Sequence, residues 1–85
     1  MEHIEIDDEE IRTFYETIAR NVKKVRKSKN VTQLDLALTI GHKSVSTIAK
    51  IEAGLENKHY NLEHLYKISK ALEEDICVFL EKEEA

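Results

Sequence analysis

The sequence predicts an all-α fold. Its 85 residues contain no Pro and only two Gly, Gly41 and Gly54, so the chain lacks the turn residues that a fold of many short strands needs. Apolar residues recur at spacings of three and four along several segments, which is the period of a helix face. The hydrophobic share of 41% and the charged share of 35% are typical of a folded, soluble protein. We therefore expect one small helical domain.

The first predicted helix runs from about residue 9 to residue 28. Its apolar residues are three or four positions apart and therefore form one stripe. The stripe consists of Ile11, Phe14, Ile18, Val22 and Val25. Residues 1–10 before it carry six acidic side chains and no basic one, and we interpret them as an acidic arm. The main domain is then expected at residues 11–80, followed by an acidic tail at residues 81–85.

Two short helices follow, each with a start signal and a glycine stop. Thr32 can cap the second helix, and Asp35 three residues later completes a capping box. Gly41 ends that helix, since glycine adopts a left-handed C-terminal cap at little cost. Ser44 is the expected N-cap of the third helix, which ends at Gly54.

The C-terminal part of the chain predicts two more helices, which brings the total to five. Asn61 is the expected N-cap of the fourth helix, and Asp75 caps a short, nearly all-apolar fifth one. The apolar side of the fifth helix is either a dimer surface or a face packed against the first helix. The core stripe of the fourth helix contains Leu62, Leu65, Tyr66, Ile68, Ser69 and Leu72. The dimer surface would consist of Ile76, Val78 and Phe79.

Charge divides the chain into acidic ends and a basic middle. The whole chain has a net charge of −4, yet residues 20–60 contain nine basic and three acidic side chains. Such a local excess of positive charge can form a surface that faces phosphate groups. Charge alone is also compatible with a set of solvated helix faces.

Several other classes of protein find little support. A single cysteine, Cys77, forms no internal disulfide, no apolar run approaches the ~18 residues of a membrane span, and the N-terminus is too acidic for a signal peptide. A zinc site needs about four ligands, which the four His and one Cys do not bring together in a recurring Cys and His spacing, and two Gly provide no phosphate-cradling loop. We expect a cytoplasmic protein that is not an enzyme, has no metal or cofactor, and does not bind a membrane.

The second and third helices carry a recognisable pattern. It consists of Thr-Gln at 32–33, Leu-Ala at 36–37, Ile-Gly at 40–41, Ser-x-Ser-Thr-Ile at 44–48 and Ile-Glu-x-Gly at 51–54. This pattern resembles the lambda-repressor-like (XRE/Cro) helix-turn-helix proteins, and the resemblance covers about residues 18–80. It implies a five-helix DNA-binding domain with the helix-turn-helix at about 32–53. It also implies that Arg26 and Glu52 pair as a brace that orients the third helix.

Two departures from the family pattern affect the assignment of contacts. One more residue than usual separates Gly41 from Glu52, so His42 and Lys43 make a longer turn and the third helix can start one residue later. The loop after Gly54 also lacks the Pro that is often found there.

In this family the first turns of the third helix enter the DNA major groove. Lys50 can donate to guanine O6 or N7, Ser46 can bond to more than one base, and Val45 can touch a thymine methyl group. The alternative for Lys50 is contact with phosphate alone. The expected base contacts are Val45, Ser46, Ala49 and Lys50.

The resemblance also implies contacts with the DNA backbone, which position the protein without reading sequence. Gln33 would contact a phosphate and brace the third helix, and residues 57–60 match the loop that grips the neighbouring backbone. The expected backbone contacts are Gln33, Lys43, Ser44, Thr47, Asn57, Lys58 and Tyr60.

These features predict a sequence-specific regulator of transcription that binds double-stranded DNA as a homodimer and acts in a repressor-like way. Its size is similar to that of restriction-modification controller proteins and small phage repressors. The alternative is an antitoxin or interaction module that binds a protein partner, such as a toxin or regulator, and the acidic arm and tail favour it. Leu34 and Leu38 are apolar where family members are usually polar. We expect the arm or the first helix to cover them, with a partner surface as the alternative.

Overall fold

The computed structural model describes residues 3–41 and 44–82. Within these ranges the chain forms four α-helices and one 3-10 helix, and no strand. The α-helices are α1 (Asp8–Ser28), α2 (Gln33–Thr39), α3 (Ser46–Ala53) and α4 (Leu62–Ala71), and the 3-10 helix is Ile76–Leu80. The expected all-α class is confirmed, but the fifth helix is a 3-10 helix and not an α-helix. No helix in the described ranges is long and apolar enough to cross a membrane.

Three of the four predicted N-caps, Thr32, Asn61 and Asp75, are present. Thr32 Oγ1 accepts a hydrogen bond from the backbone N–H of Asp35 at 3.0 Å, and the Asp35 carboxylate accepts one from the backbone N–H of Thr32 at 3.4 Å. Asn61 Oδ1 accepts from the backbone N–H of His64 at 2.7 Å, and Asp75 caps the 3-10 helix in the same way. These bonds fix where α2, α4 and the 3-10 helix begin.

Helix α1 begins at Asp8, within one residue of the predicted start near residue 9. Asp7 is its N-cap, with Oδ1 accepting from the backbone N–H of Glu10 at 2.7 Å. Asp8, Glu9 and Glu10 occupy the first turn, where the positive end of the helix dipole stabilises negative charge. Residues 8–10, which the sequence interpretation assigns to the acidic arm, are therefore helical.

One hydrophobic core joins all five elements. Helix α1 packs against α3 and the 3-10 helix, and α2 packs against α3 and α4. Ala37 on α2 is fully buried, where α2 packs against α3 and α4. The core consists of Ile18, Ala19, Val22, Leu36, Ala37, Ile40, Ile48, Ile51, Tyr60, Leu65, Ile68, Leu72 and Phe79.

Phe79 lies inside this core and not on a dimer surface. Its side chain is 0% exposed, and the amide of the buried residue Asn21 on α1 donates to the carbonyls of Phe79 and Glu81 at 3.0 and 2.7 Å. Packing against the first helix, the alternative, is what the structure shows, and the expected role of Phe79 is corrected. Ile76 packs against the core and Val78 is half-buried, so only their exposed edges remain for a partner.

The apolar stripe of α1 extends past the core. Ile11 and Phe14 are 43% and 51% exposed, so the N-terminal part of the predicted stripe is not buried. Ile11 lines an open cleft between α1 and the loop after α3, so its side chain stays in contact with solvent.

Two further apolar pairs are exposed. Leu62 and Tyr66 on α4 are 74% and 58% exposed, so neither belongs to the core stripe expected for this helix. Leu34 and Leu38 on α2 are 50% and 60% exposed. Neither α1 nor the described part of the arm covers them, which corrects the expectation from sequence.

Candidate nucleic-acid interface

Helix α3 is held by a buried ion pair between α1 and α3. Arg26 Nε and Nη2 donate to the two carboxylate oxygens of Glu52 at 2.8 and 2.9 Å. The two side chains are 9% and 4% exposed, and Arg26 Nη1 also donates to the carbonyl of Val31 at 2.8 Å. A bidentate Arg–carboxylate pair fixes the relative orientation of its partners. The pairing that the resemblance implied is present.

Helix α2 joins the same brace. Gln33 Nε2 donates to Glu52 Oε1 at 3.0 Å, so the carboxylate on α3 receives hydrogen bonds from both α1 and α2. The bracing part of the role expected for Gln33 is present. The amide nitrogen of Gln33 carries a second hydrogen, so a contact with phosphate stays a prediction.

Helix α3 begins at Ser46 with Val45 as its N-cap, which makes no side-chain capping bond, so Ser44 is not the N-cap that the sequence predicts. Ser44 Oγ accepts from the backbone N–H of Ser46 at 3.1 Å, and Val45 already has helical φ and ψ of −67° and −18°. The two serine hydroxyls are 2.9 Å apart. The longer turn of His42 and Lys43, and with it the phosphate contact expected of Lys43, lies outside the described residues.

The expected base-contacting residues share the outward face of α3. Ile48 and Ile51 are 0% and 3% exposed and anchor the opposite face in the core. Val45 and Ser46 are exposed, whereas Ala49, Lys50 and the expected backbone contact Thr47 are half-buried. A short helix with one anchored face and one open face can enter a groove without changing its packing.

Lys50 is not free on this face. Its ammonium group lies 2.7 Å from Glu56 Oε2, and the two side chains are 42% and 57% exposed. The hydrogen bond to Lys50 and its charge hold the pKa of Glu56 below the usual range, and the charge of Lys58 acts in the same direction. Sequence reasoning missed Glu56, because an acid six residues after Lys50 and past the helix end has no periodic relation to it.

The loop after α3 forms a compact turn. Gly54 ends the helix with φ of 70°, in the left-handed region that favours glycine. The backbone N–H of Leu55 donates to the carbonyl of Lys50 at 2.9 Å, and that of Lys58 donates to the carbonyl of Leu55 at 3.1 Å. This turn leaves Asn57 and Lys58 exposed beside α3, where the sequence predicts phosphate contacts.

Tyr60 does not belong to this exposed loop surface. Its side chain is 2% exposed and lies in the core, so its expected contact with the DNA backbone is corrected. Burial raises the pKa of Tyr60 far above its usual value, and the charge of Glu52 adds to the shift while that of Arg26 opposes it. Tyr60 is buried because its apolar ring is stabilised by removal from water, which an exposed position would not provide.

We expect the substitution Tyr60→Phe to leave duplex affinity unchanged and to keep or raise the free energy of unfolding. No hydrogen-bond partner for the buried Tyr60 Oη is found in the described part of the chain. A buried hydroxyl without a partner costs about 1 to 3 kcal/mol, so removing it removes a penalty. Urea unfolding measures the change, with Tyr66→Phe as the exposed control. A loss above about 1 kcal/mol would show that the hydroxyl forms a stabilising bond.

A stacked ring pair attaches the same loop to α1. The rings of Tyr15 and His59 are 3.8 Å apart between centroids and 11° from parallel. A cleft of about 770 Å³ lies between α1 and the loop, lined by acidic and basic side chains such as Glu16 and Lys58. No group of three or more potential metal ligands comes together in the residues described. Sequence reasoning did not find the stacking of Tyr15 on His59, because the two residues are far apart in the chain.

The fold and the open face of α3 together define a helix-turn-helix protein. A helix-turn-helix family model matches residues 22–79, more than half of the chain, and the match contains α2, α3 and α4. The chain therefore belongs to the lambda-repressor-like (XRE) helix-turn-helix family of DNA-binding transcription regulators. None of the curated proteins compared with the chain matches it.

Proposed function

We propose that this protein is a cytoplasmic, repressor-like regulator that binds an operator in double-stranded DNA through α3. The observation that carries the proposal is the brace: Arg26 and Gln33, from two different helices, hold Glu52 and so fix α3 with its polar face outward. A rigid, exposed helix presents its side chains to base edges at little entropic cost. No catalytic role is proposed for any residue.

Each exposed position has a chemically reasonable partner on DNA. Val45 can contact a thymine methyl group, and Lys50 can donate to guanine O6 or N7. The Ser46 hydroxyl, bonded once to Ser44, keeps capacity for one more bond with a base. The proposed phosphate contacts are Gln33, Ser44, Thr47, Asn57 and Lys58, together with Lys43 outside the described residues.

We further propose that the regulator acts as a homodimer. One short helix reads only a few base pairs, and two copies on a two-fold symmetric site, about one helical turn apart, supply the remaining specificity. A bound dimer that covers a promoter excludes polymerase, which is the repressor-like mode.

A protein-interaction module, such as an antitoxin or anti-regulator, is the second candidate function. It is favoured by the exposed pair Leu34 and Leu38, 50% and 60% accessible on α2. The acidic side chains at the start of α1 point the same way, because they would be repelled by phosphates.

The salt dependence of duplex binding separates the two functions. For four neutralised phosphates, affinity should fall about 100-fold between ~50 and ~200 mM salt, since each contact releases counterions. Fluorescence anisotropy with a labelled duplex measures this slope. A folded protein with no salt-dependent affinity would support the interaction module instead.

Lys58→Ala should weaken binding to every duplex by a similar factor and reduce the salt slope by about one for each bound protomer. The reason is that a phosphate contact carries charge without sequence information. Lys67→Ala is the matched control, because Lys67 pairs with Glu63 on α4, away from the proposed interface. Loss confined to one DNA sequence would contradict the phosphate role of Lys58.

A further inference from the structure

The side chain expected to read guanine is already paired in the free protein. Lys50 Nζ lies 2.7 Å from Glu56 Oε2, which places a negative charge within a surface proposed to face DNA. Any contact that Lys50 makes with DNA must therefore accommodate the carboxylate of Glu56.

The backbone holds the carboxylate in this place. Glu56 and Asn57 both adopt left-handed φ, 56° and 52°, which is uncommon for residues other than glycine. The bond from the Leu55 N–H to the carbonyl of Lys50 anchors the start of this turn to the end of α3. Because the turn is anchored to the carbonyl of Lys50, the backbone conformation itself places Glu56 next to Lys50.

This arrangement affects the two possible DNA contacts of Lys50 differently. A contact with phosphate would bring the Glu56 carboxylate close to a second anion, and the repulsion would weaken it. Guanine O6 and N7 are uncharged acceptors, and an ammonium group has three donor hydrogens. Lys50 can therefore keep its bond to Glu56 while it donates to guanine.

We propose that Glu56 is a specificity-determining residue. It prevents Lys50 from neutralising phosphates on arbitrary DNA and thereby reserves it for a guanine in the operator. This inference rests on the proposed function, and it assigns to an acidic loop residue a role in discriminating between DNA sequences.

The substitution Glu56→Gln tests the proposal. We expect affinity for a random-sequence duplex to rise about threefold to tenfold and its salt slope to steepen by about one for each bound protomer, as for one added phosphate contact per protomer. Affinity for the operator, identified by selection from a randomised duplex pool, should rise by a smaller factor. The ratio of operator affinity to random-duplex affinity therefore falls. Glu63→Gln is the matched control, since it removes the same charge from another exposed Lys–Glu pair, with Lys67. The control should leave the ratio unchanged.

The same substitution in a Lys50→Ala background shows whether Glu56 acts through Lys50. There Glu56→Gln should no longer change the affinity ratio. An unchanged ratio in the Lys50-containing protein overturns the inference, as does an equally large fall of the ratio in the Lys50→Ala background. In both of these outcomes the unsubstituted protein still prefers the operator to the random duplex, so the inference fails while the proposed function stands. If that protein binds no duplex in a salt-dependent way, the proposed function fails together with the inference.

Discussion

Replacing Glu52 with Ala is expected to lower the free energy of unfolding by about 3 to 5 kcal/mol. The substitution leaves the guanidinium of Arg26 buried without its carboxylate and removes the acceptor of Gln33. Because small domains have a total stability of only about 5 to 15 kcal/mol, a large part of it is lost. Urea unfolding followed by circular dichroism measures the change.

Glu63→Ala provides the comparison for this result. Glu63 pairs with Lys67 at 3.3 Å, but the two side chains are 74% and 43% exposed. Solvent screens such a pair, so its loss should change stability by less than about 1 kcal/mol. Similar effects for Glu52→Ala and Glu63→Ala would show that the buried pair does not hold α3.

Phe79→Ala is expected to destabilise the protein by about 3 to 5 kcal/mol, as for other fully buried aromatic side chains. Phe79 is 0% exposed where the 3-10 helix packs on α1, so the truncation leaves a cavity in the core. Thermal and urea unfolding report the loss. The effect is on folding, and the oligomeric state of the protein that remains folded should not change.

Phe14→Ala separates burial from residue type. Phe14 is the other phenylalanine of the chain and is 51% exposed on α1. We expect its truncation to cost less than about 1.5 kcal/mol, since part of its surface already contacts water. If Phe79→Ala leaves stability unchanged but dissociates a dimer in sedimentation, Phe79 lies at an interface and the core assignment is incorrect.

The sequence predicts the starts of α2, α4 and the 3-10 helix well because capping is local chemistry. The side chains of Thr32 and Asn61 bond to backbone N–H groups three residues ahead, and such bonds depend on no distant part of the chain. The brace of Arg26 and Glu52 is a long-range contact, and the family resemblance indicates it where periodicity does not.

Periodicity shows which residues share a face but not how far the rest of the protein covers that face. Ile11 and Phe14 continue the apolar stripe of α1, yet both side chains are about half exposed, and Ile11 lines the open cleft beside the loop after α3. Leu62 and Tyr66 similarly fit the spacing of the α4 core but lie at its exposed edge. The extent of burial depends on tertiary packing, which the local pattern does not contain.

The sequence predicts only part of the candidate site, because helical spacing is a local property and the conformation of the turn after α3 is not. The outward face of α3 follows from helical spacing once Ile48 and Ile51 are placed in the core. The partner of Lys50 depends on a turn in which Glu56 adopts a left-handed φ, and no residue type at that position signals it. The burial of Tyr60 likewise depends on where the loop returns to the core.

Selection from a randomised duplex pool at near-physiological salt tests the central claim, that α3 reads DNA sequence. The protein's helical fold is verified by circular dichroism under the same conditions. We predict enrichment of a two-fold symmetric sequence with half-sites about 10 base pairs apart, and loss of a guanine preference in the Lys50→Ala variant. A folded protein that enriches no sequence would contradict the assignment of α3 as a recognition helix.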